Sequence, residues 1–144
     1  MSEWQENTVR FDVIGKPFGK QRPRHTAYTT YTPKETKEHE KIVRGAYYQQ
    51  VGNARFREGT YISLEVCAYM PIPKNTSKAK RELMLKGEIL PTVKPDWDNI
   101  GKLIADALNG VAYDDDKQIV EAVVIKRYAT APHTTVRITG RWQE

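Results

Sequence analysis

Acidic residues crowd one stretch of this chain: Asp96 and Asp98, then Asp106, then the run Asp114-Asp115-Asp116, with Lys102 standing among them. Hard divalent cations take oxygen donors, and Mg²⁺ usually takes one or two carboxylates together with waters and substrate phosphate oxygens. Asp96, Asp98 and one of Asp114, Asp115 or Asp116 are therefore candidate metal ligands. Lys102 is the cation on the same side of the stretch, placed to steady charge developing on a phosphate or to orient an attacking water. Taken singly, Asp98 reads as an ordinary helix cap and the aspartate run as a solvated turn. Acids gathered at both ends of one short helix in a basic protein point instead to a metal site.

A helix must hold these groups. Ile100, Leu103, Ile104, Ala107 and Leu108 recur at helical spacing and predict a buried stripe. Asp98, Lys102 and Asp106 follow one another at i, i+4 and share a second face. The expected cap is Asp98 or Asn99, and Asn109-Gly110 supplies the left-handed stop. Asp96 falls before the helix, where extended backbone would point it the same way as Asp98. Trp97, between them, is expected to anchor in the core.

Lys94-Pro-Asp-Trp-Asp-Asn-Ile-Gly-Lys, then Asp106-Ala-Leu-Asn-Gly, then Tyr113-Asp-Asp-Asp-Lys-Gln-Ile resembles the signature of the RusA family of Holliday junction resolvases. The resemblance is carried by one gapless block, Lys94 to Ile119. It implies a Mg²⁺-dependent endonuclease that acts as a homodimer and is often prophage-encoded. Residue by residue it implies that Asp96 and Asp98 are the paired metal carboxylates, Lys102 the catalytic lysine and Asp116 the further acidic ligand. Asp106 matches an acidic position of more structural role.

The chain has 144 residues, with 23 Lys and Arg against 18 Asp and Glu, a formal net charge of +5. That length suits one domain, 1–144, able to bury a core without staples. With so many acids confined to the motif, the rest of the surface is more basic than the total suggests, which favours a polyanionic partner. The lone Cys67 excludes an internal disulfide and a thiolate metal cluster. The N-terminus lacks a secretory pattern, and no apolar run approaches the roughly 20 residues that cross a bilayer. No membrane association and a cytoplasmic location are expected.

The segment Lys16-Pro-Phe-Gly-Lys-Gln-Arg-Pro-Arg-His25 is a loop by its prolines and glycines and contains no acid. Lys16, Lys20, Arg22 and Arg24, with Phe18 among them and Tyr28 and Tyr31 soon after, are the candidate DNA contacts. Such a loop can hold phosphates and stack on an unpaired base. A similar basic loop occurs early in one branch of the family.

Around these parts the pattern predicts a strand from Thr8 to Ile14 and a helix from Thr32-Pro33-Lys34-Glu35, read as a capping box, to about Gln50. His39 on that helix has no partner at metal-ligand spacing and is expected to be structural or solvent-facing. Thr60 to Met70 alternates as a strand, Ser77 to Lys86 reads as a short helix, and Ile89 to Val93 as an edge strand or connector. The consecutive Leu83, Met84 and Leu85 hint at a contact with a partner chain. Gln118 to Tyr128 is a further strand, expected to be buried on both faces, and Thr134 to Thr139 a last one pairing antiparallel with it.

The order implies an α+β fold: one mixed or antiparallel sheet of about four strands with helices packed on one side. The resemblance adds a two-fold dimer whose paired sites match the two equivalent strands of a four-way junction. The function expected is Mg²⁺-dependent resolution of Holliday junctions by paired symmetric nicks. The alternative is a non-catalytic junction- or single-strand-binding protein of the same fold, which would gain nothing from acids that repel phosphate.

Overall fold

The structure is a computed structural model, and it describes residues 3–27, 30–31 and 33–144, with Arg24 and Tyr31 described by their backbone alone. The strands β1 (Trp4–Ile14), β4 (Tyr61–Pro71), β5 (Ile119–Ala129) and β6 (His133–Gln143) form one sheet in the order β1-β6-β4-β5. A separate two-stranded ribbon joins β2 (Arg24–His25) to β3 (Thr30–Tyr31). Helices α1 (Lys34–Gln50), α2 (Lys78–Leu85) and α3 (Trp97–Ala107) complete the α+β fold.

The core forms where alternating strand residues meet the helices. Ile62, Leu64, Val66, Ala68 and Met70 of β4, with Val136 and Ile138 of β6 and Phe11 of β1, are buried. Val43 and Tyr47 of α1 and Ile100, Leu103, Ile104 and Ala107 of α3 close over them. Phe11 meets Tyr47 edge to face at 5.4 Å between ring centres, a geometry that aromatic quadrupoles favour. The opposite sheet face bears Glu6, Glu65, Glu121, Arg137 and Arg141 around an open depression.

Two strand expectations are corrected. β6 does not pair with β5: it lies antiparallel between β1 and β4, while β5 pairs parallel with β4. The short link 130–132 passes the end of β4, where Pro71 faces Ala129 on one side and Tyr69 faces His133 on the other. A parallel pair requires a long crossover, and segment 72–118, which carries α2, α3 and the acidic turn, provides it. β5 is therefore the sheet edge and is not buried on both faces; Val120 is 60% exposed. An apolar run alone does not distinguish a central strand from such an edge.

Other boundaries moved by local physics. β1 starts at Trp4, ahead of the expected Thr8, because the pairing with β6 continues to Trp4 opposite Gln143. Ile89–Val93 is a connector with no strand. Leu83 and Leu85 are exposed while Met84 is buried. At α1 the cap is Pro33; the expected capping residue Thr32 lies outside the described residues, as does Tyr28.

Candidate metal and nucleic-acid site

Helix α3 begins two to three residues earlier than its sequence predicts. Asp96 is the N-cap residue, in extended backbone and with no side-chain capping bond, and Asp98 lies inside the first turn. Both near the N-terminus are favoured by the helix dipole. The two side chains line different hollows. Trp97 is also corrected: it is 65% exposed and no core anchor. It stands on the first turn of a helix that packs against the edge strand β5, so among the described residues no further strand covers the ring.

Two hollows flank the start of α3. One, of about 330 Å³, is lined by Trp97, Asp98, Lys102, Asp106 and Asp116 over an apolar floor from Leu64, Ile119, Ala122, Val123 and Val124. Gly101 allows the helix to approach this floor, since a Cβ there would stand 3.0 Å from a methyl of Val124. The other, of about 650 Å³, is lined by Lys16, Lys20, Arg22 and Lys94 with Asp96 and Asn99. Asp98, Lys102 and Asp116 thus share a hollow, and Asp96 faces the basic cleft beside it.

The aspartate run separates into three roles. Asp114 pairs with Arg55. Asp115 caps the 3-10 turn Asp116–Gln118, accepting from the Lys117 amide at 2.9 Å. Asp116 has its backbone amide held by the Asn109 side chain at 2.7 Å, and its carboxyl reaches the carboxyls of Asp115 and Asp106. Burial, the hydrogen bond that its protonated carboxyl donates to Asp115, and the negative charge of Asp106 push the Asp116 carboxyl above its usual range. Its neighbour moves the other way: the Lys117 amide and the hydrogen bond with Asp116 hold the Asp115 carboxyl low.

Gln118 anchors this turn. Its side-chain oxygen accepts from the amides of Asp114 at 3.0 Å and Asp115 at 3.1 Å, and its amide donates to the carbonyls of Arg57 at 3.0 Å and Thr60 at 3.2 Å. Tyr113, fully buried, donates its hydroxyl to the carbonyl of Ala105 at 2.6 Å, tying the turn to the last part of α3; burial raises its pKa. The sequence places Asn109 at the helix stop and Gln118 within the family motif, but their role in holding the acidic turn is not read from it. The signal available for Gln118 was the capping-box spacing Asp115-x-x-Gln118.

The basic loop docks directly on α3. The Lys20 amide donates to the Asn99 carbonyl at 2.9 Å, and the Gln21 amide to the Thr36 hydroxyl at 3.2 Å. Phe18 stacks on His39 at 3.8 Å between ring centres, giving that histidine a structural partner. Lys16 and Arg22 are exposed. Lys20 instead turns inward and forms an ion pair with Asp106, their side chains 20% and 16% exposed. The side chain of Arg24 lies outside the described residues.

Carboxylate oxygens in a hollow that already strains to hold its negative charge are donors of the kind a divalent cation takes. Among the described residues, no group of three or more His, Cys, Asp or Glu side chains is gathered tightly enough to form a complete ligand set. Mg²⁺ does not require one, because waters and substrate oxygens fill most of its sphere. What the hollow offers is the donor chemistry of such an ion, carboxylate oxygens from Asp98, Asp106 and Asp116.

A family model described as Endodeoxyribonuclease RusA matches residues 15–139, which include the basic loop, α3 and the acidic turn. The protein YqaN of Bacillus subtilis (strain 168), described as uncharacterized, is 35% identical over 140 residues, spanning 90% of this chain and 94% of that relative. Among the described residues, no helix is long and apolar enough to cross a membrane.

Proposed function

The chain belongs to the RusA family of endodeoxyribonucleases, and from that premise we propose that it is a Mg²⁺-dependent nuclease resolving four-way DNA junctions. The observation that carries this reading is the pairing of two hollows across the start of α3, one acidic with a single exposed lysine and one basic. Acids repel a phosphate backbone unless a cation lies between them, so the arrangement suits cleavage better than binding alone. The reading takes the chain as one cytoplasmic domain, 1–144, acting as a homodimer on two symmetry-related strands.

In this mechanism Asp98 and Asp116 would hold Mg²⁺, with Asp96 as the third carboxylate. When bound, the ion supplies Lewis acidity and a water ionised near neutral pH. Lys102, one turn along from Asp98, faces the phosphate and offsets the charge that grows on its oxygens. Lys16 and Arg22, with Arg24, grip the backbone through the basic cleft and bring the scissile bond alongside the acids. Gln118 and Asn109 keep the Asp116 carboxylate aimed into the hollow.

The test incubates a labelled synthetic four-way junction and a linear duplex with Mg²⁺ and with chelator. Paired symmetric nicks are expected on the junction with Mg²⁺ alone. Asp98→Asn should abolish cutting while junction binding persists; retained cleavage in that variant overturns the assignment. Binding with no cutting by the wild-type chain under any divalent cation would favour the alternative, a non-catalytic junction-binding or single-strand-binding protein.

A further inference from the structure

We propose that Lys20 is a positioning residue that acts through Asp106 as the internal counter-ion of the acidic hollow, and that it makes no contact with DNA phosphate. The inference rests on the metal-dependent reading of that hollow. Two observations support it. The Lys20 ammonium is ion-paired to Asp106 and largely withdrawn from solvent, while Lys16 and Arg22 of the same loop stand exposed. The Lys20 backbone is also committed, its amide bonded to the Asn99 carbonyl at 2.9 Å. Lys20 is thereby fixed to α3 at two points two turns apart on one helical face.

Asp106 lines the hollow that Asp98, Lys102 and Asp116 share, and its negative charge acts on the Asp116 carboxyl. Through this chain the ammonium compensates one carboxylate of the cluster and registers the basic loop against it. A divalent cation entering the hollow meets that positive charge as an opponent. The balance has two consequences: cation affinity is held below what the acids alone would give, and the DNA-gripping loop stays aligned with the acids.

The experiment measures two quantities on wild type, Lys20→Met, Lys20→Arg, Asp106→Asn and Arg22→Met. The first is affinity for Mg²⁺ or Mn²⁺ alone, by titration calorimetry without DNA. The second is the salt dependence of junction binding in chelator. Removing an opposing unit charge at this range should tighten cation affinity in Lys20→Met about fivefold, and Lys20→Arg should restore the wild-type value. Its salt slope should match wild type, while Arg22→Met loses about 0.9 in slope, the amount expected for one phosphate contact.

Asp106→Asn releases the ammonium and should steepen the slope by about the same amount. That arm stands even if Lys20→Met fails to fold. Unchanged cation affinity together with a shallower slope in Lys20→Met would make Lys20 a phosphate contact and overturn the inference, as would an unchanged slope in Asp106→Asn. If wild type binds no divalent cation and cuts nothing, the nuclease reading itself falls; if wild type binds and cuts, those variant outcomes bear on Lys20 alone.

Discussion

Gly19 meets Pro95 so closely that a Cβ on the glycine would stand 2.7 Å from the proline Cβ and 3.1 Å from that of Asn99. The basic loop rests on the start of α3 only because this position carries no side chain. Gly19→Ala must push the loop away, at a cost of about 1–3 kcal/mol by the usual scale of overpacking. Junction affinity should fall with it, since Lys16 and Arg22 lose their placement, while affinity for Mg²⁺ alone changes less. Melting temperature and electrophoretic junction binding check both effects. A variant that binds DNA as wild type does would show that the docking of the loop is irrelevant to recognition.

Gln118 is expected to be the most sensitive uncharged residue of the site. Gln118→Leu strands two amide donors and two carbonyls that its side chain now satisfies, a loss of about 2–4 kcal/mol. Gln118→Glu is the sharper test. It keeps the acceptor for Asp114 and Asp115 but cannot donate to Arg57 and Thr60 when ionised, and it adds charge beside three aspartates. Urea unfolding should rank wild type above both variants, and cleavage should fall in both because Asp116 is no longer held. Wild-type stability in Gln118→Leu contradicts this.

The buried stripe of α3, the alternating β4 and the place of Lys102 on the face of Asp98 and Asp106 were legible from periodicity and residue type, because each reports a local choice of face. Pairing was not: β5 and β6 look like a hairpin in sequence, and only the room needed by the 72–118 crossover puts β4 between them. The site divides the same way. Which residues bear charge was readable, but the sequence gives no sign that Lys20 turns inward to Asp106 or that Trp97 overhangs a sheet edge. Both depend on contacts between segments far apart in the chain. The third acidic position, ambiguous by spacing, separates by local bonding: Asp114 goes to Arg55, Asp115 to the turn and Asp116 to the hollow.

That separation predicts unequal variants. Asp114→Asn should lower stability by less than about 1 kcal/mol, because it removes an ion pair whose side chains are 44% and 38% exposed, and it should leave cutting intact. Asp116→Asn should abolish cutting. Matched cleavage assays and melts check this, and loss of cutting in Asp114→Asn would reassign the third ligand.

Asp116 also sets a pH dependence. Its folded pKa is raised, so its contribution to stability is present below its unfolded value, about 3.9, and is lost as pH rises through the folded value. Asp115, held low, contributes the opposite way: its stabilisation is present above the unfolded value and is lost as pH falls through the folded one. In the metal-free protein Asp116→Asn should therefore melt higher than wild type at pH 7, with the advantage vanishing towards pH 4. Cation affinity should weaken on acidification at a pH above the ordinary carboxylate range, because the ion must displace the Asp116 proton. A lower melting temperature for Asp116→Asn at pH 7 overturns the electrostatic account.

Asp96 and Asp98 line different hollows, and their variants should fail for different reasons. Asp98 shares its hollow with Asp116, so Asp98→Asn should weaken affinity for Mg²⁺ measured without DNA, about tenfold if one charge-bearing ligand is lost. Asp96 faces the cleft of Lys16, Lys20, Arg22 and Lys94, where the DNA backbone is proposed to enter. Asp96→Asn should leave the affinity for Mg²⁺ alone nearly unchanged and lower it only when a junction occupies the cleft and phosphate oxygens complete the sphere. Cleavage should be lost in both. The check is a pair of calorimetric titrations for each variant, one with the protein alone and one with it saturated by a junction carrying an uncleavable backbone. Equal loss of affinity in the two DNA-free titrations would mean that both carboxylates grip the ion before substrate arrives, contrary to their division between the two hollows.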